Sequence, residues 1–149
     1  MELPSHAHEA VLETLDCYAE RYGAKDAEAC ARLFAGDPDV ILIGTGADEW
    51  WVGTAEVRMQ FERNFAEATE TRFEWTSRHV AAAGNAAWVA AEAVVHVIVD
   101  GTPHSIPLRF SVVLEQRDGE WKWLHRHASV AAGGQEKGIA YPTEPGTRS

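Results

Sequence analysis

Residues 121 to 129, Trp-Lys-Trp-Leu-His-Arg-His-Ala-Ser, carry two tryptophans, two histidines and a serine at every second position. Side chains alternate sides along an extended chain. Trp121, Trp123, His125, His127 and Ser129 are therefore expected in one row, with Lys122, Leu124, Arg126, Ala128 and Val130 in the other. A neutral imidazole both donates and accepts near neutral pH, which makes His125 and His127 candidates for acid–base catalysis or for orienting a ligand, with Trp123 and Ser129 beside them. The competing reading makes them satisfied hydrogen-bonding residues that hold strands and helices together. His-x-His also supplies two metal ligands, but a zinc or iron site needs a third. The next acidic residue, Glu136, falls in an expected tail, so no metal is expected.

Further candidates come from the neighbouring segments. Arg109 and Ser111 reach the histidine row only in one of two registers. A two-residue Asp-Gly turn places Phe110, Val112 and Leu114 beside Trp123 and His125, whereas a three-residue loop with a bulge places Arg109, Ser111 and Val113 there. A buried Arg109 needs partners, either a ligand or an acidic residue such as Glu92, and the ion pair is the preferred reading. Glu92 and His96 share a face with Trp88 and Val94, where apolar company disfavours a charged carboxylate unless it is paired. They are read as ligand-binding residues or, equally, as half-solvated edge or interface positions. Tyr18, Trp50, Trp51 and Trp75 are large aromatics that more often build a core than a pocket, and of the tryptophans Trp51 is retained as a pocket candidate. His6, His8 and His104 read as solvated.

The elements that would position these residues follow from the chain pattern. Apolar residues at Val11, Leu12, Leu15, Tyr18, Ala19 and Tyr22 have helical spacing, with Ser5 as cap and Gly23 as stop. Asp26 caps a second helix expected to run through Asp-Ala-Glu-Ala-Cys-Ala-Arg-Leu-Phe-Ala, ended by Gly36 and Pro38. Two brief strands, Asp39–Gly44 and Trp50–Gly53, precede a third helix capped by Thr54 and carrying Val57, Phe61 and Phe65 on one face. Four long extended segments then follow from Thr71 to Ala132, separated by Gly-Asn, Asp-Gly-Thr-Pro and Arg-Asp-Gly connections of hairpin type. Helices followed by a meander imply an α+β fold, with three N-terminal helices packed on a mostly antiparallel sheet. The segment from Ala86 to Val99 is apolar on both faces apart from Glu92 and His96, so both faces of the sheet need cover, and a second subunit is one source of it.

Composition bounds the possibilities. The 149 residues suffice for one domain with its own core. A formal charge of −10, with no Lys/Arg run, repels nucleic acid and anionic lipid, so neither is an expected partner. No apolar run approaches the ~20 residues that span a bilayer, and the start Met-Glu-Leu-Pro-Ser-His lacks the pattern of a signal peptide. A cytoplasmic location is the expectation. Cys17 and Cys30 are read as reduced, packing thiols. Residues 1–132 are expected to form the domain, and the polar, Gly- and Pro-rich residues 133–149 a flexible tail.

The order helix, helix, Leu-Phe-Ala-Gly-Asp-Pro-Asp-Val-Ile-Leu-Ile-Gly-Thr-Gly, Glu-Trp-Trp-Val-Gly, helix, meander, closing on Arg-Asp-Gly-Glu-Trp-Lys-Trp-Leu-His-Arg-His-Ala-Ser, resembles the nuclear transport factor 2-like superfamily. Within it the chain resembles the SnoaL-like proteins, over roughly residues 7 to 131. The last hairpin also resembles the association domain of calcium/calmodulin-dependent protein kinase. The resemblance implies a strongly curved, cone-shaped, cystatin-like sheet with an internal pocket, and a homodimer. That superfamily hosts isomerases, dehydratases, cyclases, transport factors and kinase hubs, so fold alone selects no activity. Alignment with ketosteroid isomerase, whose acid–base tuning is a known example, places Tyr18 at its oxyanion-stabilising tyrosine. Its base position falls at about Leu42, which cannot accept a proton. The kinase hubs' pocket arginines align with Val112 and Ala128, so acid binding by those positions is not expected.

These readings converge on a small-molecule pocket for a partly apolar organic ligand, held by aromatics and oriented by His125 and His127. If the protein is an enzyme, the expected chemistry is cofactor-free proton transfer of the isomerase, dehydratase or cyclase kind, with Tyr18 or Arg109 stabilising an oxyanion. No cofactor is expected, because Gly-Thr-Gly-Ala-Asp-Glu lacks the spacing of a dinucleotide-binding loop. The alternative is a non-catalytic oligomerisation or scaffold domain in which the histidine row sets subunit geometry.

Overall fold

The computed structural model describes residues 5–142. Residues 143–149 of the expected tail, and residues 1–4, lie outside the described residues. The chain forms α1 (Ser5–Gly23), α2 (Ala27–Ala31), β1 (Ile41–Ile43), β2 (Trp50–Val52), α3 (Thr54–Glu67), β3 (Glu70–Ala83), β4 (Ala86–Val99), β5 (Thr102–Arg117) and β6 (Glu120–Ser129). The six strands make one sheet in the order β2-β1-β6-β5-β4-β3, antiparallel except where β1 runs parallel to β6. The fold is α+β, and the helices lie on the inner face of the sheet. Among the described residues no helix is long and apolar enough to cross a membrane.

Local chemistry explains most element boundaries. Asp26 caps α2 by accepting from the Ala29 amide at 3.0 Å. α2 stops at Ala31, earlier than expected, because Leu33–Ala35 is drawn alongside β6. The Trp123 amide donates to the Leu33 carbonyl, and the Ala35 amide donates to the Trp123 carbonyl, each at 2.9 Å. Thr54 starts α3 but does not cap it; its hydroxyl donates to the Ala35 carbonyl at 3.2 Å, and Gly53 is the cap residue. The three hairpins turn on Gly84–Asn85, Asp100–Gly101 and Asp118–Gly119. Asp118 and Gly119 both have positive φ, 50° and 80°, the type I′ geometry that matches strand twist. The connection after β4 is thus two residues long, with Thr102 and Pro103 already inside β5.

Two bulges curve the sheet. In β3 the register shifts between Trp75, opposite Ala93, and Ser77, opposite Glu92, leaving Thr76 extra. In β6 it shifts between Trp123, opposite Leu114, and His125, opposite Val113, leaving Leu124 extra. An extra residue bends its strand and increases its twist. The hollow this creates is filled by aromatics around Tyr18 of α1. Tyr18 stacks on Trp123 with centroids 5.1 Å apart and meets Phe73 edge-on at 5.0 Å. Phe61, Phe110 and Trp75 surround the same ring. The indole N–H of Trp123 donates to Thr14 Oγ1 at 3.0 Å, and that of Trp75 to the Leu15 carbonyl at 2.8 Å, which tie the sheet to α1. Both cysteines are free, and burial pushes the Cys30 thiol up to about 12.

Trp123 is fully buried at the junction of α1, β5, β6 and the Leu33–Ala35 segment. Replacing it by alanine is expected to cost about 3–5 kcal/mol, the range for deleting a large core aromatic. Chemical denaturation checks this, and a loss under about 1 kcal/mol would remove Trp123 from the centre of the core.

Candidate functional site

The bulge at Leu124 changes which residues face inward. Up to it, Trp121 and Trp123 are buried; beyond it, Arg126 and Ala128 are buried, while His125, His127 and Ser129 turn to the outer face. The expected single row of tryptophans, histidines and serine is therefore broken after Trp123. Both registers considered for this hairpin are present in part. The turn has two residues and sets Leu114 beside Trp123, yet the bulge within the strand sets Val113 beside His125 and Ser111 beside His127.

The inner face holds a cavity of about 220 Å³ between α1, α3, the inner face of β3–β6 and the loop after β1. Its apolar wall includes Phe73, Val95, Val97 and Leu108, and its polar lining includes Tyr18, Tyr22, Asn64, Glu49 and Arg126. Arg126 is 6% exposed. Its guanidinium lies over the Phe110 ring, 4.8 Å from the centroid, its Nε has no hydrogen-bond partner, and it makes no salt bridge among the described residues. The Tyr18 hydroxyl, fully buried, is likewise unpaired. Desolvation raises both phenols against the opposing pull of the Arg126 charge: Tyr22 is pushed up to about 12, and Tyr18 further. Both remain O–H donors throughout the neutral range.

A chain of hydrogen bonds decides where the Tyr22 proton can go. The Trp51 indole N–H donates to Gln60 Oε1, Gln60 Nε2 donates to Asn64 Oδ1 at 2.6 Å, and Asn64 Nδ2 donates to the Tyr22 hydroxyl at 3.1 Å. An indole nitrogen can only donate, so it fixes the orientation of the Gln60 amide and, through it, that of Asn64. Tyr22 is thereby an acceptor on its Asn64 side, which leaves its own proton for the cavity. Gln60 is 1% exposed, and this chain is what satisfies it. The Gly44-Thr45-Gly46 turn has a related purpose: a methyl group at either glycine would collide with the Glu49 side chain, which folds back over the turn beside the cavity.

The structure distributes the expected site residues between the two faces. Tyr18 lines the cavity, Trp123 packs behind it in the core, and Trp51 anchors the hydrogen-bond chain from outside the lining. His125, His127, Ser129, Arg109, Glu92 and His96 all lie on the outer face, so the two histidines and Tyr18 do not share one site. Arg109 sits opposite Glu92 in register but forms no ion pair with it; it donates from Nε to Ser129 Oγ at 3.2 Å and from NH2 to the Val130 carbonyl at 3.0 Å. His127, Arg109, Ser111 and Ala90 border a shallow outer depression of about 250 Å³. His96 bonds to Ser105 and Glu74. Among the described residues no three metal-ligating side chains converge. Arg126, Tyr22, Asn64 and Gln60 were not singled out from the sequence. Gln60 did carry a signal, a polar residue at helical spacing within the Val57–Phe61 apolar face; Arg126 carried none, because only the bulge turns it inward.

A family model described as the SnoaL-like domain matches residues 11–133. No curated protein matches the chain. Among solved structures, a nuclear transport factor 2-like superfamily protein from Salmonella enterica serovar Typhimurium superposes with a TM-score of 0.80 at 17% identity, covering 92% of this chain and 99% of that one. A candidate dehydratase of the nuclear transport factor 2-like family from Streptomyces avermitilis gives 0.77 at 19% identity, covering 87% and 99%. A candidate calcium/calmodulin-dependent protein kinase II association domain from Xanthomonas campestris gives 0.72 at 20% identity, covering 87% and 89%. At such identities the likeness is one of fold.

On the outer face, partial burial and then the neighbouring His127 charge lower the pKa of His125 below its usual 6.5. The unfolded chain then binds the proton more readily than the folded one, so unfolding free energy falls as pH drops through and below 6.5. Urea titrations between pH 7 and pH 5 are expected to show that decline, and His125→Asn to make it shallower. An unchanged slope in the variant would detach it from His125.

Proposed function

The chain belongs to the SnoaL-like family, and from that premise we propose that its inner cavity binds a small, partly apolar organic acid. The anionic end of the ligand lies against Arg126 and the hydroxyls of Tyr18 and Tyr22, and its body against Phe73, Val95 and Leu108. The observation that carries this reading is the buried Arg126 side chain, its Nε without a hydrogen-bond partner and no salt bridge to it among the described residues, together with the unpaired Tyr18 hydroxyl. Leaving a buried charge and a buried hydroxyl unpaired costs several kcal/mol, and an anionic ligand removes that cost at both groups together.

The same three donors suit an enolate or another oxyanion that develops during proton transfer, because charged and neutral donors fixed in a water-poor site stabilise such a charge. For turnover of the isomerase, dehydratase or cyclase kind, the Glu49 carboxylate lining the cavity is the proton acceptor. The histidines, on the other face of the sheet, take no part in that step. Their setting matches instead an association surface: Trp88 and Val113 are large apolar residues exposed side by side on the outer face next to His125, and a second copy of the chain covers them in a cytoplasmic homodimer. Trp88→Glu is expected to convert that dimer to monomer in sedimentation velocity, while a wild-type monomer would discard the dimer.

Calorimetry with phenylacetate and 4-phenylbutyrate against their uncharged amides tests the binding reading. The carboxylates are expected to bind at least roughly tenfold more tightly. Arg126→Met should lose about 1.5–3 kcal/mol of carboxylate binding, the worth of a charged hydrogen bond. It should also raise Tm, because the buried charge is gone. Equal binding of amides and acids, or unaltered acid binding by Arg126→Met, would overturn the anion site.

A further inference from the structure

On the outer face, at the end of the sheet away from Trp88, three strands bring a carboxylate, an imidazole and a hydroxyl into one hydrogen-bonded line. His96 of β4 is the register partner of Arg72 on β3 and of Ser105 on β5, and Glu74 lies two residues along β3 on the same face. His96 Nε2 is 3.0 Å from Glu74 Oε1, and Nδ1 is 2.7 Å from Ser105 Oγ. The His96 hydrogen bond, aided by the Arg72 charge, holds the Glu74 carboxyl below the usual carboxylate range. An ionised carboxylate only accepts, so the neutral imidazole carries its proton on Nε2. Its Nδ1 lone pair is then directed at the Ser105 hydroxyl, which donates to it.

A regular strand gives no structural reason for this arrangement, because a serine on an exposed sheet face is readily solvated. The line also borders a groove of about 600 Å³ whose lining includes Lys25, Arg72, Thr69, Ile98 and Pro103. Lys25 is fixed there by a 2.6 Å hydrogen bond to the Ala68 carbonyl, and Arg72, with NH1 3.8 Å from Glu74 Oε1, lines the same groove as Ser105. Trp88 lies eight residues back along β4, roughly 26 Å at strand rise, so the line is clear of the surface assigned above to a second copy. The cavity is on the opposite side of the sheet, and this site does not depend on it.

We propose that Glu74, His96 and Ser105 form a second reactive site that cleaves small acyl esters, with Ser105 as nucleophile, His96 as its base and Glu74 as the residue that positions the imidazole. Ser105 Oγ attacks the ester carbonyl carbon and its proton passes to His96 Nδ1. The tetrahedral adduct, held in the groove that Lys25 and Arg72 also line, collapses by breaking the bond to the alcohol oxygen, which takes that proton and leaves. Water then gives a proton to Nδ1 and attacks the acyl-serine. The adduct releases a carboxylic acid, and Ser105 regains its proton.

The full chain is treated with a fluorophosphonate probe, which forms a bond to a nucleophilic serine with loss of fluoride, and separately with p-nitrophenyl acetate. One adduct is expected, mapped to Ser105, together with nitrophenolate release; Ser105→Ala abolishes both. His96→Ala should slow labelling of Ser105 by about a hundredfold or more, the usual lower bound for general-base assistance, and added imidazole should recover part of the rate. Glu74→Gln should slow it about tenfold, and Glu74→Asp should restore part. His96→Gln replaces His96→Ala if the latter does not fold by circular dichroism. No adduct, an adduct at another residue, or Ser105 labelling at the wild-type rate in the folded His96 variant would overturn the proposal.

Discussion

One extra residue in β6 governs the chemistry of the protein. With Leu124 left out of the ladder between β5 and β6, the strand changes phase, so that Trp123 and Arg126, three apart, both face the helices. Strict alternation would have put either the tryptophan or the arginine outside. Trp123 is needed inside because its ring stacks on Tyr18 and its backbone joins Leu33–Ala35. The bulge lies where β6 passes from that partner to β1, which pairs parallel to it from Ile41 opposite His125. Hydrophobic burial thus sets the first half of the strand, and the bulge frees the second half to present a cation to the cavity.

That cation is expensive to keep, and the surrounding groups are arranged around it. Cation–π attraction to Phe110 offsets part of the desolvation, but the Nε proton remains unpaired. Most other buried polar groups near the cavity are satisfied with care. Gln60 is bonded on both amide atoms, and the direction of its bonds is dictated by the one-way donor Trp51. Where a small domain bonds both the oxygen and the nitrogen of a buried amide and leaves an arginine Nε and a phenol without a partner, the shortage is informative.

The α+β class, the order of helices and strands and the turn positions were legible because they depend on local signals: helical spacing around Tyr18, Asp-Gly pairs between extended runs, and Gly23 after the first helix. The early end of α2 was not, because Leu33 and Phe34 continue a helical pattern that only β6, ninety residues on in sequence, overrides. The bulge at Leu124 was invisible for a different reason: an apolar residue fits either side of this strand, so no residue type marks the phase change. Strict alternation therefore puts His125, His127 and Ser129 in one row with Trp123, whereas the bulge turns them to the other face; Tyr18, on a helix whose periodicity is unbroken, lies in the buried row its spacing gives it.

The phenols of the cavity are held in their protonated form by burial. Tyr22, pushed up to about 12, and Tyr18, higher still, keep their protons in the neutral range, and an arginine keeps its charge. The donor set of the cavity therefore carries the same charge from mildly acidic to mildly basic pH. His96, His125 and His127 stand on the outer face, with a sheet between them and the cavity. Discrimination at Arg126 must then come from the ionisation of the ligand: a compound already anionic at neutral pH meets a site prepared for it, whereas a neutral one leaves the guanidinium buried without a countercharge.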